Sequence, residues 1–390
     1  MVPLIADPLR RSDSDRSSRG IQARFTGALN ATQHDEGMRR IRALYAAAVL
    51  STGTVTAGLA AADPPPPFDL QAHRGGLGLV VENTLPAFAN ALELGVRTLE
   101  LDVQITADGQ AVVTHDRDPS PAKCVDTVPA FPGDPKFPYV PGNTFIRDLT
   151  LAQVRTIDCG SRQLPDHPEQ RTAPGARMPL LSEVFDLVRR YRAEGVMLNI
   201  ETKVEAAAPE QTAPREQFVQ VVADEIRRAG IGPQVTIQSF DWGALMRMRE
   251  VSPELPIVAL TSGQQFLQAG EPGASPWLGG IDIDDYQGGL QDKFVAAAAS
   301  FGADAVSPVH GDPQDGTVND PGYEPFTTAA LVRSAHRHGM RVVPWTVDDP
   351  ATMTALLGLG VDGIITNRPD LLRNVLAENG YQLPPPYPRP

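Results

Sequence analysis

From Phe68 onward the chain alternates short β-like runs with helix-like runs, and eight such pairs can be read in order. The β-like runs are DLQAH (69–73), TLELDVQ (98–104), VMLNIET (196–202), VTIQSF (235–240), PIVALT (256–261), DAVSPV (304–309), RVVPWTV (341–347) and GIITN (363–367). The runs LPAFANALEL, LLSEVFDLVRRY, EQFVQVVADEIRRA, WGALMRMREV, DKFVAAAASF, TTAALVRSAHRH, ATMTALLGL and PDLLRNVLAE space their apolar residues by three and four, as helices with one buried face do. Many of them close on a glycine, such as Gly95 or Gly360, which suits a chain leaving a helix for the next strand. Strands that alternate with helices build a parallel sheet, and eight units predict an α/β protein of the (β/α)8 TIM-barrel type. A doubly wound open sheet is the alternative. Its Gly-rich nucleotide loop is absent, although His73-Arg74-Gly75-Gly76 has a superficial likeness to one.

The run VVTHD (112–116) would be a ninth strand. Asp108-Gly109 before it reads as a two-residue turn, too short to reach a parallel neighbour, so VVTHD is expected as an antiparallel hairpin arm at the barrel mouth. That register sets Asp102 opposite Thr114, with His115 next to it. Residues 117–178 then break the alternation. They are Pro-rich and irregular apart from a helix-like LTLAQVRTID, and are expected to sit over the mouth as a cap. A second, Gly-rich insertion spans 262–290, and the end PPPYPRP (384–390) carries too much proline for a helix.

In such a barrel the working residues sit at the C-terminal ends of the strands. Read in order, these ends supply His73 and Arg74, then Glu100 and Asp102, then Glu201 and Lys203, then Gln238, and finally Trp345. Glu100 and Asp102 share one face of a strand, and two carboxylates side by side call for a positive partner, a hard divalent cation being the usual one. His115 brings an imidazole to the same strand end, which suggests phosphoester hydrolysis or a similar reaction. Trp345 is read either as barrel packing or as a wall for an alcohol moiety, and Glu82 as a helix cap or an outer partner of the metal. Asp282, Asp284 and Asp285 lack full calcium-loop spacing and are read as a solvated acidic loop.

The net charge of −13 argues against a general nucleic-acid binder but not against a small anionic substrate held by a local positive site. Residues 1–37 are Ser-, Arg- and Asp-rich and read as disordered, or as no part of the natural product if translation starts at Met38. Residues 38–62 have a basic start, a mildly apolar centre and the small-residue end Ala60-Ala61-Ala62, the pattern of an export signal. A membrane anchor is the rival reading, against which stand the Ala/Thr/Gly content and the Pro-rich linker 63–67 that follows. The expected mature protein is therefore an exported single barrel, 68–380, with a Pro-rich tail 381–390 and no stable membrane span. Export makes a disulfide between the two cysteines, Cys124 and Cys159, plausible, two separate buried thiols being the alternative.

As an ensemble these pieces resemble the glycerophosphodiester phosphodiesterase family. The matching residues are His73-Arg74-Gly75, Glu82-Asn83-Thr84, Glu100-Leu101-Asp102-Val103, Thr106-x-Asp108-Gly109, His115-Asp116, Glu201-x-Lys203 and Thr366-Asn367-Arg368-Pro369, in family order from residue 71 to about 376. The resemblance implies a TIM barrel with an insertion after the second histidine. It implies that Glu100, Asp102 and Glu201 bind Ca2+ or Mg2+, that His73 and His115 act as acid and base, and that Arg74 and Lys203 contact phosphate. It implies hydrolysis of a small glycerophosphodiester to sn-glycerol 3-phosphate and an alcohol, the substrate's own hydroxyl attacking first. Val81, where proline commonly precedes Glu-Asn-Thr, and the two cysteines depart from the pattern. A phospholipase-D-like enzyme acting on intact phospholipid or lysophospholipid is the runner-up, and a secreted non-catalytic binding protein the third reading.

Overall fold

A computed structural model describes residues 67–140 and 144–390. The segments 1–37 and 38–62, read above as a foreign or disordered start and an export signal, lie outside the described residues. Eight parallel strands follow one another around the sheet: β1 (Asp69–Ala72), β2 (Thr98–Ile105), β3 (Met197–Thr202), β4 (Val235–Ser239), β5 (Ile257–Thr261), β6 (Ala305–Pro308), β7 (Arg341–Val342) and β8 (Gly363–Thr366). β8 pairs with β1 in parallel. Backbone bonds from Asp362 N–H to Val342 O (2.9 Å), Ile365 N–H to Pro344 O (3.0 Å) and Val347 N–H to Ile365 O (3.0 Å) link β8 to the β7 segment and draw the ring together. This is the expected (β/α)8 barrel. β7 is shorter than the run 341–347 suggested because Pro344 has no N–H to give the ladder, yet Val343 and Trp345 still donate to Val306 O and Pro308 O.

β2 shows how the strands place chemistry. Both its faces are buried, so Leu99, Leu101, Val103 and Ile105 pack into the core while Glu100, Asp102 and Gln104, on the alternate face, are buried as polar residues. The core between strands and helices holds Phe88, Phe185, Phe218, Phe294 and Trp242, all fully buried. Trp242 sits at the first turn of its helix, and its indole N–H donates to Leu260 O at 3.0 Å. Trp242→Ala would empty that volume and orphan the carbonyl, with an expected loss of about 3–5 kcal/mol, read as a lower urea midpoint at unchanged slope.

The antiparallel arm is present as Ala111–Val113, in the register Val103↔Val113, and Thr114 N–H donates to Asp102 O at 3.0 Å. The turn itself is longer than two residues. Thr106 N–H still bonds Gln110 O, so three residues, 107–109, make the bend, with Gly109 at φ +76° closing it.

The segment after the arm has a small core of its own, in which Cys124, Tyr139, Ile146, Leu149, Val154, Ile157 and Met178 surround Val112. Its expected helix is only Leu151–Val154, because the chain turns at Arg155 into a short strand, Ile157–Asp158, paired with Val125–Asp126. Cys124 and Cys159 are disulfide-bonded. The Pro-rich end is not helical but is docked: Tyr387 N–H donates to Leu92 O at 2.9 Å, and the chain passes so close to Gly95 that a Cβ there would meet Pro384 O at 2.9 Å. No helix among the described residues is long and apolar enough to cross a membrane.

Candidate active site

β1 ends in a single turn, His73–Gly75, in which Arg74 takes a left-handed conformation, φ 53° and ψ 32°. A non-glycine residue holds that conformation only when its surroundings fix it. Here the Arg74 N–H donates to Glu100 Oε2 at 2.8 Å, its Nη1 to Glu82 Oε1 at 3.1 Å, and its Nε lies 3.3 Å from Asp102 Oδ2. The same turn aims His73 into the barrel mouth. Asn367, at the end of β8, gives its Nδ2 to Asp348 Oδ2 (2.7 Å), so its Oδ1 faces His73 Nδ1 at 2.6 Å and must accept a proton from it. The Nε2 lone pair of His73 is thereby left free.

Glu100, Asp102 and Glu201 are buried, and each offers an oxygen within 4.8 Å of the others. Adjacent parallel strands bring them together, since Asp102 on β2 is the register partner of Glu201 on β3. Asp102 Oδ2 accepts from Asn83 Nδ2 at 2.8 Å, while Asp102 Oδ1 is buried with no hydrogen-bond partner. Lys203 Nζ donates to Glu201 Oε1 at 2.7 Å and stands 3.7 Å from Asp102 Oδ1. Gln238, expected at the substrate, lines the cavity but has its amide in use within the barrel: Nε2 donates to Glu100 Oε1 (2.8 Å), and Oε1 accepts from Asn199 Nδ2 (2.7 Å). Asn199 Nδ2 also donates to Gln71 Oε1 (2.9 Å), and Gln71 Nε2 to Asp69 Oδ2 (3.0 Å).

Burial pushes the Glu100 carboxyl well up, with the charges of Asp102 and Glu201 adding to it. Burial likewise lifts Glu201 to about 7 against the pull of Lys203. Asp102 is raised by burial too, but His115, Lys203 and Arg74 outweigh that and hold it well below the usual carboxylate range. Three crowded carboxyls, an orphaned buried oxygen and an all-oxygen donor set fit a hard divalent cation. Because Glu201 holds a proton below about pH 7, cation binding must displace it there, together with any proton held by the raised Glu100 carboxyl. Apparent Ca2+ affinity is therefore expected to rise from pH 6 to pH 8, by up to about tenfold per unit for each proton displaced. Calorimetric titration in two buffers of different ionisation enthalpy measures this, and a flat affinity would mean that no proton is held there.

The hairpin arm delivers His115, whose Nδ1 lies 2.8 Å from Asp116 Oδ1. Asp116 is in turn held by Lys123 Nζ, 2.9 Å from Oδ2, and Lys123 also reaches Glu82 Oε1 at 3.0 Å. Burial, followed by the charges of Arg74 and Lys203, lowers His115 to about 4. Burial and Arg74 lower His73 to about 3, so both imidazoles are neutral at pH 7. Glu82 does not cap the helix after it. Thr84 does, accepting from Ala87 N–H at 3.2 Å, and Glu82 serves Arg74 and Lys123.

His73, Arg74, Glu100, His115, Glu201 and Lys203 line one cavity of about 600 Å³ at the barrel mouth, and Asp102 is buried beside them without reaching its wall. Among the described residues of the segment 117–178, Arg117 and Asp118 reach its wall, and the segment's small core packs on Val112 of the hairpin arm. Trp345 faces the cavity and packs edge-on against Phe240 at 5.3 Å between ring centres, and Phe266 and Trp277 extend the row at 4.7 and 4.5 Å. The sequence reading missed Phe240, Phe266 and Trp277, which carry no spacing signal, and it missed Asp348 and Lys123. Asn83 and Asn367 stood inside the quoted motifs without a role. The acidic loop is structural: Asp282 accepts from Asp284 N–H, and Asp284 pairs with Lys293.

Residues 73–371 match the model of the glycerophosphoryl diester phosphodiesterase family. A glycerophosphodiester phosphodiesterase of Caldanaerobacter subterraneus is 28% identical over 79% of this chain and 98% of its own. A solved Silicibacter pomeroyi protein, assigned as a glycerophosphoryl diester phosphodiesterase, is 30% identical with a TM-score of 0.65, over 82% of this chain and 96% of its own. An Oleispira antarctica phosphodiesterase solved with its product sn-glycerol-3-phosphate is 18% identical and shares the fold, with a TM-score of 0.55 over 79% of this chain and 96% of its own. The family match runs from the end of β1 into the last helix, across most of the chain, and this chain belongs to the glycerophosphoryl diester phosphodiesterase family.

Proposed function

We propose that the protein hydrolyses glycerophosphodiesters to sn-glycerol 3-phosphate and an alcohol, with Glu100, Asp102 and Glu201 holding Ca2+ or Mg2+. The observation that carries this reading is a pair of imidazoles lining the same cavity as a buried carboxylate cluster. When bound, the cation supplies positive charge to the phosphate oxygens and acidity to a bound hydroxyl. Arg74 and Lys203 orient the phosphate. His73, with its Nδ1 proton given to Asn367, keeps a bare Nε2 to take the proton from the neighbouring glycerol hydroxyl as that oxygen attacks phosphorus. His115 is neutral in the empty site, but the Asp116 carboxylate and the anionic substrate both raise it toward imidazolium, and in that form it gives its proton to the departing alcohol oxygen. The cyclic phosphate so formed is opened by water with the roles reversed: His115 takes the water proton, and His73 returns its proton to the glycerol oxygen. Lys203 lies 5.8 Å from the centre of the Phe240 ring, at the start of the aromatic row.

Release of sn-glycerol 3-phosphate from glycerophosphocholine, abolished by a chelator and restored by Ca2+ or Mg2+, is the test. The aromatic row favours a second reading, in which the glycerol side of the diester carries an acyl chain, as in a lysophospholipid, and the head-group alcohol leaves. Turnover of lysophosphatidylcholine without turnover of glycerophosphocholine would replace the first reading by the second, and turnover of neither would leave a binding protein. We also propose export through residues 38–62, for which the N-terminal sequence of protein recovered outside the cell is the check.

A further inference from the structure

Lys123 lies outside the cavity wall, yet its ammonium group joins two parts of the site that are far apart in sequence. It is 2.9 Å from Asp116 Oδ2 and 3.0 Å from Asp116 Oδ1, and Asp116 Oδ1 is also the atom facing His115 Nδ1. It is 3.0 Å from Glu82 Oε1, the same oxygen that takes Arg74 Nη1. Both carboxylates are largely withdrawn from solvent, with 26% and 11% of their side chains exposed, so a cation between them is poorly replaced by water. Cys124 is the next residue. The N–H groups of Lys123 and Cys124 both donate to Ser120 O, and the following Val125–Asp126 strand is paired with Ile157–Asp158 over two residues only. So short a ladder does not hold itself together; Asp126 is tied to the Tyr139 and Val140 N–H groups, and the Cys124–Cys159 bond, spanning 35 residues, fixes the end next to Lys123.

We infer that Lys123 is a positioning residue for His115 and Arg74, and that the Cys124–Cys159 bond keeps it in place. The inference rests on the roles given to His115 and Arg74 above. Losing the ammonium group leaves Asp116 free to swing and His115 without a fixed aim, and it frees Glu82 to move with Arg74. Opening the disulfide has the same end by another route. A dithiol supplies two electrons and two protons, the S–S bond breaks into two cysteine thiols, and the reagent leaves as its cyclic disulfide.

The experiment uses the full chain with Ca2+ and two substrates, glycerophosphocholine and bis(4-nitrophenyl) phosphate, which has no glycerol. Lys123→Met is expected to lower kcat by about 10–100-fold, as a displaced catalytic group does, with Ca2+ affinity and Tm unchanged. Lys123→Arg should recover most of the loss. Reduction should lower the wild-type kcat over the same range but leave that of Lys123→Met where it is, since the two changes act on one element. An unchanged kcat in Lys123→Met overturns the inference. Equal loss on reduction in wild type and Lys123→Met overturns the disulfide part, as does loss of the cooperative unfolding transition on reduction, which would show the bond serving the fold as a whole. Wild type that cleaves bis(4-nitrophenyl) phosphate but not glycerophosphocholine refutes the substrate reading alone, and the Lys123 comparison on that diester, which still needs Arg74 at its phosphate, decides this one. Cleavage of neither overturns both.

Discussion

His115→Ala is expected to lower kcat by about 10²–10⁴-fold while leaving divalent-cation affinity nearly untouched. The two effects separate because His115 is carried by the hairpin arm and bonded to Asp116, whereas the carboxylate cluster is built on β2 and β3. On the proposed mechanism, removing the imidazole takes away the group that passes a proton to the leaving alcohol. The loss should therefore shrink for a substrate whose alcohol leaves without help, such as a nitrophenyl ester. Single-turnover kinetics on glycerophosphocholine and on a nitrophenyl diester, alongside Ca2+ titration, would check this. Equal losses on both substrates would remove His115 from the protonation step.

Asp102→Asn is expected to abolish function by a different route, through loss of the cation. Loss of an outer partner of a metal ligand already lowers affinity by about 10–100-fold, and here a ligand itself is changed, so a larger drop is expected. Asn83 Nδ2 requires an acceptor at the position of Asp102 Oδ2, which turns the new NH2 toward the cluster at the place of the orphaned Oδ1. That NH2 would face Lys203 Nζ, now 3.7 Å from Oδ1, and any cation that entered. In wild type, added Ca2+ should raise Tm because it binds the folded chain alone. In Asp102→Asn the rise should vanish. A variant whose Tm still climbs with Ca2+ would show that Asp102 is no ligand.

The barrel was legible in the sequence because its signals are local and repeated. Apolar spacing fixed helices such as Leu85–Leu94 and Trp242–Val251, and buried runs with β-branched residues marked the strands. The cluster was legible because strand alternation puts Glu100 and Asp102 on one face. What stayed hidden depends on distant parts of the chain. Lys123 lies in an irregular segment, and nothing near it in sequence points to Glu82 or Asp116. Phe266 and Trp277 reach the cavity from an insertion with no periodicity, and Gln238 lines it with its amide held between Glu100 and Asn199. For the segment 117–178 length alone suggested a cover, while the packing of its described apolar residues with one another and with Val112 depends on partners that spacing does not show.

The amides inside the barrel admit one arrangement of protons. With Glu100 ionised, as a bound cation requires, it and Asp69 at the two ends of the row are both acceptors, so Gln71 and Gln238 must each turn an NH2 outward and a carbonyl toward the middle. Asn199 answers both carbonyls with its single NH2, and its own oxygen is met by the Thr236 hydroxyl at 2.9 Å. A carboxylate at 199, almost the same shape, would face two carbonyls with no hydrogen to offer either. Gln238 would then gain by rotating, presenting oxygen to Glu100 instead of nitrogen. A single atom exchanged within the barrel would thus be read at its mouth as a change in what the cation meets.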